Sequence, residues 1–208
     1  MKHHLLLFLI IALAIAMISC SEENHDGVGD SYDPTEITEH RAMKDKMFKE
    51  EAESPIPETE RAAFKGLHYY EPSEAYVIDA TFEPFAKPDT ITMPTSVAGD
   101  TRRAVRVGTL SFEANGTACK LVAYRLAGQS EQELFVPFTD KTTGDETYGA
   151  GRYLDIEVVS TEDSYPVELD FNMAYHPYCA YNERYSCPVV PRENALPVAI
   201  KAGERNAP

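Results

Sequence analysis

From Leu67 onward the chain alternates. Tyr76, Ile78, Ala80 and Phe82 fall on one side of a period of two, against Val77, Asp79, Thr81 and Glu83 on the other. That is the pattern of a strand with one face on a core. Ile91 and Met93 belong to the next strand. Val105 and Val107, then Leu110 and Phe112, mark a strand whose buried face switches at Gly108, as a bulge allows. Asn115-Gly116 follows, a pair suited to a type I′ hairpin turn because both central residues need positive φ. The turn leads into a strand over 117–126. Three more are read from Leu134, Val136 and Phe138, from Leu154, Ile156 and Val158, and from Val167, Leu169 and Phe171, while Val198 and Ile200 are placed to close the sheet. Roughly eight short strands with regular turn signals predict a mainly β fold, an antiparallel sandwich or barrel.

Helical signals are confined to the N-terminal side. Asp33-Pro34-Thr35-Glu36 offers a capping acid, a proline suited to the first turn and a second acid three residues on. The helix it starts runs to about Glu53 with an apolar stripe of Ile37, Met43, Met47 and Phe48. Ser54-Pro55-Ile56-Pro57 breaks it, and a short turn of helix ends at Gly66. The pattern contains no internal repeat and points to a single domain over residues 34–208.

The chain ahead of that domain has another character. Lys2 and the apolar run from Leu5 to Ile18 form a signal peptide over residues 1–19. The run is shorter than the roughly 20 residues a membrane-spanning helix needs. Met17-Ile18-Ser19-Cys20 resembles the lipobox of bacterial lipoproteins, which implies acylation of Cys20 as the new N-terminus. Residues 20–33 read as a flexible acidic tether. The expected location is the outer membrane, lipid-anchored. Ser21-Glu22-Glu23 resembles the acidic signal that sends some Bacteroidetes lipoproteins to the cell surface.

The net charge of −15 becomes −16 once Lys2 is removed with the signal peptide. Such a surface repels nucleic-acid phosphates and anionic headgroups, so no nucleic acid is expected as a partner. Membrane contact must then come from N-terminal acyl chains.

With Cys20 acylated, Cys119, Cys179 and Cys187 remain. Cys179 and Cys187 lie eight residues apart between Pro177 and Pro188, a spacing suited to a disulfide that staples a loop. A zinc reading of His176-x-x-Cys179 with Cys187 has one tight pair where such sites use two, so no metal or cofactor is expected. There is no Gly-x-Ser-x-Gly elbow, no His-Glu-x-x-His and no phosphate-binding glycine loop with lysine.

The segment 138–155, rich in hydroxyls, acids and glycines, is longer than a hairpin connection requires. It reads in two ways: as a ligand-binding loop, or as a self-satisfied connection in which Arg152 pairs with Asp140 or Asp155.

Three sequence blocks carry a family resemblance. They are Pro137-Phe138-Thr139-Asp140 with Thr143-Gly144 and Glu146 to Leu154; Asp170-Phe171-Asn172 with Ala174-Tyr175, Pro177, Cys179-Ala180-Tyr181 and Cys187-Pro188; and Glu193-Asn194 with Leu196-Pro197-Val198 and Ile200 to Glu204. With Phe64-Lys65-Gly66-Leu67 they resemble the bacterial family known as domain of unknown function 1684. The resemblance implies no activity. Its pattern has asparagine in place of His176 and includes both Cys179 and Cys187. Its blocks fall on polar loops, which suits a shared site. On that basis Asp140, Thr143, Glu146, Tyr148, Arg152, Asp170, Asn172 and Asn194 are the candidate lining of a pocket for a small polar or glycan-like ligand. Two alternatives stay open: a cell-envelope hydrolase working with paired carboxylates, and a structural or assembly lipoprotein.

Overall fold

The structure is a computed structural model that describes residues 32–160 and 163–207. The segment expected to be a signal peptide, Cys20 and most of the expected acidic tether lie outside the described residues. Helix α1 spans Thr35–Glu50, and Asp33 accepts the Thr35 amide at 3.0 Å ahead of its first turn. It ends three residues before the expected Glu53, where the Ser54 hydroxyl donates to the Phe48 carbonyl and turns the chain. Only Ile37 and Phe48 of its stripe are fully buried. Phe48 is gripped edge-on by Tyr178 and Tyr181, with ring centroids 5.9 and 5.1 Å away. A single turn, α2 (Glu58–Arg61), follows Pro57.

Six strands then form one antiparallel sheet curled into a half-barrel: β1 Val77–Pro94, β2 Thr101–Ala114, β3 Thr117–Leu126, β4 Glu133–Phe138, β5 Arg152–Glu157 and β6 Tyr165–Asp170. The order is β5-β4-β3-β2-β1-β6, so all but the last connection are hairpins. The mainly β fold is as the alternation implies, with six strands in place of about eight. Ile91 and Met93 continue β1 across a register shift between Pro84 and Asp89. Val198 and Ile200 form no strand, because their backbone is engaged elsewhere: the Lys141 amide donates to the Val198 carbonyl at 3.0 Å and the Ile200 amide to Asp140 Oδ2 at 3.0 Å.

The switch of face read at Gly108 is a bulge between Arg106 and Gly108 in the β2–β3 ladder. Glycine is required there because a Cβ would lie 2.6 Å from the Glu83 carbonyl and 2.7 Å from the Phe82 ring. The hairpin turn at Asn115-Gly116 has φ of 50° and 71°, as a type I′ turn demands.

Strands β3 to β5 are covered on both faces. Leu121, Leu134, Val136, Phe138 and Leu154 point into a core closed by Phe171, Leu196 and Ile200. Their neighbours Val122, Tyr124, Phe135 and Tyr153 point to the opposite side, into a second cluster with Met93 and Cys187 that is roofed by Tyr175 and Tyr178. Burial on both faces makes 121–124 and 134–138 read as nearly continuous apolar runs, whereas β5 keeps Asp155 and Glu157 exposed.

Candidate functional site

Between the outward side of α1, the end of β5 and the segment 173–188 lies a groove of about 790 Å³. Its walls are Tyr153, Tyr175, Tyr178 and Tyr185 with Met43, Met47 and Met173; its polar groups are Lys44, Asp155, Glu51 and His40, and Cys187 and Pro188 lie along one side. Local structure explains each placement. On β5 the period of two sends Leu154 and Ile156 into the core and leaves Tyr153 and Asp155 on the groove side. Residues 175–188 are held over the sheet by mutual hydrogen bonds of 2.9 Å between the Tyr153 and Tyr175 backbones, and by the Ser96 amide donating to the Cys187 carbonyl at 2.8 Å. On α1, His40, Met43, Lys44 and Met47 share one side at helical spacing.

Asp155 is open to solvent at the mouth yet walled in on its other sides, so desolvation raises its carboxyl pKa. The Tyr175 hydroxyl donates to Asp155 Oδ2 at 2.5 Å and opposes that rise. The Lys44 ammonium stands 4.8 Å from the centre of the Tyr175 ring and 3.4 Å from Glu204 Oε2. Burial lowers its pKa, and Glu204 works against that. Glu204 is 1% exposed, and also accepts from the His176 amide and, at 2.6 Å, from the Tyr181 hydroxyl.

The eight polar residues singled out from the sequence lie elsewhere; none of them lines this groove. Arg152 is wholly buried. Its Nη2 donates to Asp140 Oδ2 at 2.8 Å and to the Ile200 carbonyl at 2.7 Å, and its Nη1 to the carbonyls of Ala202 and Glu204. Asp140 Oδ1 accepts from the amide and hydroxyl of Thr142 at 2.8 and 2.6 Å, and the Thr143 hydroxyl accepts the Asp140 amide at 3.0 Å. Arg152 is thus paired with Asp140 inside the protein, with both Nη groups committed and, among the described residues, the buried Nε alone without a partner.

Asn172 and Asp170 form a separate fastening: Asn172 bonds both backbone groups of Ser73 at 2.9 Å, and its side chain and amide donate to Asp170 Oδ1 at 2.8 Å. Asn194, fully buried, fills the gap where β3 and β4 pair only through Tyr124 and Phe135. It accepts the Val122 amide at 2.8 Å and donates to the carbonyls of Val122 and Pro137 at 2.9 and 2.7 Å. Glu146 takes a hydrogen bond from Tyr70 at 3.0 Å and an ion pair from Lys201 at 2.8 Å, which lowers its pKa. Tyr148 faces Cys179, its hydroxyl pushed up to about 12 by burial and by that thiol.

The expected staple is not formed: Cys179 and Cys187 are both free. Hydrogen bonds to Ser96 hold the Cys187 backbone so that its Sγ accepts the Cys179 amide at 3.2 Å instead of meeting the other sulfur. Burial pushes the Cys187 thiol up to about 11, which keeps it protonated. His176 is buried, and desolvation with the nearby Arg152 and Lys44 charges takes it down to about 3; its Nε2 accepts the Tyr148 amide at 3.3 Å.

The family model described as a protein of unknown function (DUF1684) matches residues 62–205. The chain belongs to the DUF1684 family. The match begins after α1, so the family domain supplies the tyrosine wall of the groove, and the helix preceding it supplies His40, Met43, Lys44, Met47 and Glu51. Among solved structures, the chain is similar to an uncharacterised protein of Haloarcula marismortui determined by solution NMR. The two are 40% identical with a TM-score of 0.67, over 83% of this chain and 93% of that one. Comparison with curated proteins gives no match.

Sequence reasoning missed the groove. Asp155 entered only as a partner for Arg152, and Lys44 did not enter at all. The signal was present in β5, where Tyr153 and Asp155 alternate out of phase with the apolar Leu154 and Ile156.

Proposed function

We propose that the protein is an exported, lipid-anchored binding module, held at the outer membrane through Cys20, whose groove beside α1 takes a small polar ligand with a flat apolar face. The observation that carries this reading is the groove itself: four tyrosines and three methionines beside the Lys44 amine and the carboxylates of Asp155 and Glu51. Its volume of about 790 Å³ suits a small-molecule site, since such pockets run from roughly 300 to 1,000 Å³ and join apolar walls to a few placed polar groups. Tyrosine faces stack on the apolar side of a sugar or similar ring, while Lys44 and Asp155 meet its polar substituents.

The test is calorimetry on the mature protein with a panel of sugars, amines and carboxylic acids, repeated on Tyr178→Ala and Tyr185→Ala. The reading expects at least one class to bind, and to bind at least about tenfold more weakly once a stacking ring is lost. Absence of binding across the panel, or binding indifferent to both substitutions, would overturn it.

One observation favours a hydrolase in the same place. Asp155 has a raised carboxyl pKa, as a general acid requires, and Glu51 lines the same groove. Turnover of chromogenic glycosides that disappears in Asp155→Asn would establish that reading.

A further inference from the structure

Building on the reading of the groove as a binding site, we infer that its ligand is a small organic cation, an amine or ammonium group carried on a flat apolar body. The charges around the groove are unequal. Lys44 is committed to Glu204 at 3.4 Å and packs over the Tyr175 ring, so the two formal charges cancel within the protein. At His40, burial and the neighbouring Lys44 and Arg41 lower the pKa, which works against a positive charge there. That leaves Asp155 and Glu51, two carboxylates on the groove that form no ion pair among the described residues.

Asp155 is the sharper feature. Among the described residues it forms no ion pair, and its one hydrogen bond comes from the Tyr175 hydroxyl. The groups that act on it are Tyr175, Glu133 on β4 and Lys44 on α1, and desolvation outweighs them all. A ligand cation would return the charge partner that the walls deny this carboxylate. The rings of Tyr153 and Tyr178 line the groove, and aromatic faces favour a cation over an anion; the Tyr185 ring already holds the Arg184 guanidinium 4.9 Å from its centre. The chain as a whole carries −15, so its long-range field draws cations in. An anionic ligand would meet two carboxylates and an ammonium already paired.

Three probes of one shape and different charge test this on the mature protein: benzylamine, benzyl alcohol and benzoate, titrated by calorimetry near neutral pH. Benzylamine is expected to bind at least about tenfold more tightly than benzyl alcohol, and benzoate most weakly. Asp155→Asn is expected to erase the preference for the amine, bringing benzylamine and benzyl alcohol to comparable affinity. On the unaltered protein, benzylamine affinity is expected to fall as pH drops through the raised carboxyl pKa, because protonation of Asp155 removes the charge that holds the cation. Benzyl alcohol or benzoate binding as tightly as benzylamine would overturn the inference while leaving the groove as a site. No binding by any of the three, with none from the wider panel, would remove the binding reading as well.

Discussion

Replacing Arg152 with methionine separates a structural arginine from a ligand-binding one. The guanidinium sits in a fully buried position, with four protein acceptors, one each from Asp140, Ile200, Ala202 and Glu204, and with the Phe138 ring 5.2 Å away. Methionine fills much of the volume but strands the Asp140 carboxylate, which is 9% exposed and keeps only the Thr142, Thr143 and Ile200 donors. Removing one member of a buried pair costs about 3–5 kcal/mol, mainly through the charge left behind. For a domain of this size that is a drop in midpoint of about 6–20 °C, and a large share of a total stability of about 5–15 kcal/mol. Urea unfolding of the mature protein, followed by tyrosine fluorescence and circular dichroism, reads the change directly. The double variant Arg152→Met with Asp140→Leu should cost less than the sum of the two single ones, because it removes the stranded charge. A single Arg152→Met variant within about 1 kcal/mol of the parent would refute the argument, since exposed arginines give effects of that size.

Three other outcomes follow from the same structure. Asn194→Ala should destabilise by about 2–4 kcal/mol, because one buried amide and two carbonyls of β3 and β4 lose their partner; hydrogen exchange at the Val122 amide should speed up with it. His176 titrates at about 3 when folded against 6.5 in the unfolded chain, so the unfolded state binds the extra proton between those values. Stability should therefore be complete above pH 6.5 and decline as pH falls toward 3, by up to about 1.4 kcal/mol per pH unit from this group. In His176→Asn that part of the slope should vanish in acid unfolding curves, and an unchanged slope would contradict the assignment. Cys20→Ala should abolish incorporation of labelled acyl chain and release the protein from the membrane fraction; a parent protein of unacylated mass would contradict the anchor.

The sheet was legible wherever a strand has one wet face or a turn of special geometry. Alternation located β2 and β4 to β6, the Asn115-Gly116 turn located β3, and the phase change at Gly108 located the bulge, because a side chain there would strike the Glu83 carbonyl. The length of β1 was hidden: Ile91 and Met93 read as a separate strand, whereas 77–94 is one strand with a register shift between Pro84 and Asp89. Val198 and Ile200 alternate like a strand, yet the backbone of 198–204 is bonded by the Asp140 and Arg152 side chains instead of by a ladder.

The polar loop reads in two ways for a physical reason. A buried hydrogen-bond network and a ligand site draw on the same residue types, and only burial tells them apart; Arg152 and Asn194 have none of their surface in water. The groove escaped notice because its two walls are more than a hundred residues apart in the chain, so neither Lys44 nor Asp155 looks unusual among its sequence neighbours.

The most direct test of the groove as the binding site is a two-dimensional amide NMR titration of the mature, isotope-labelled protein with benzylamine. Shifts are expected to cluster on residues 43–51, 153–155 and 173–188, and to weaken in Asp155→Asn. Shifts centred on 138–152, 170–172 and 194, or none at all, would contradict the account.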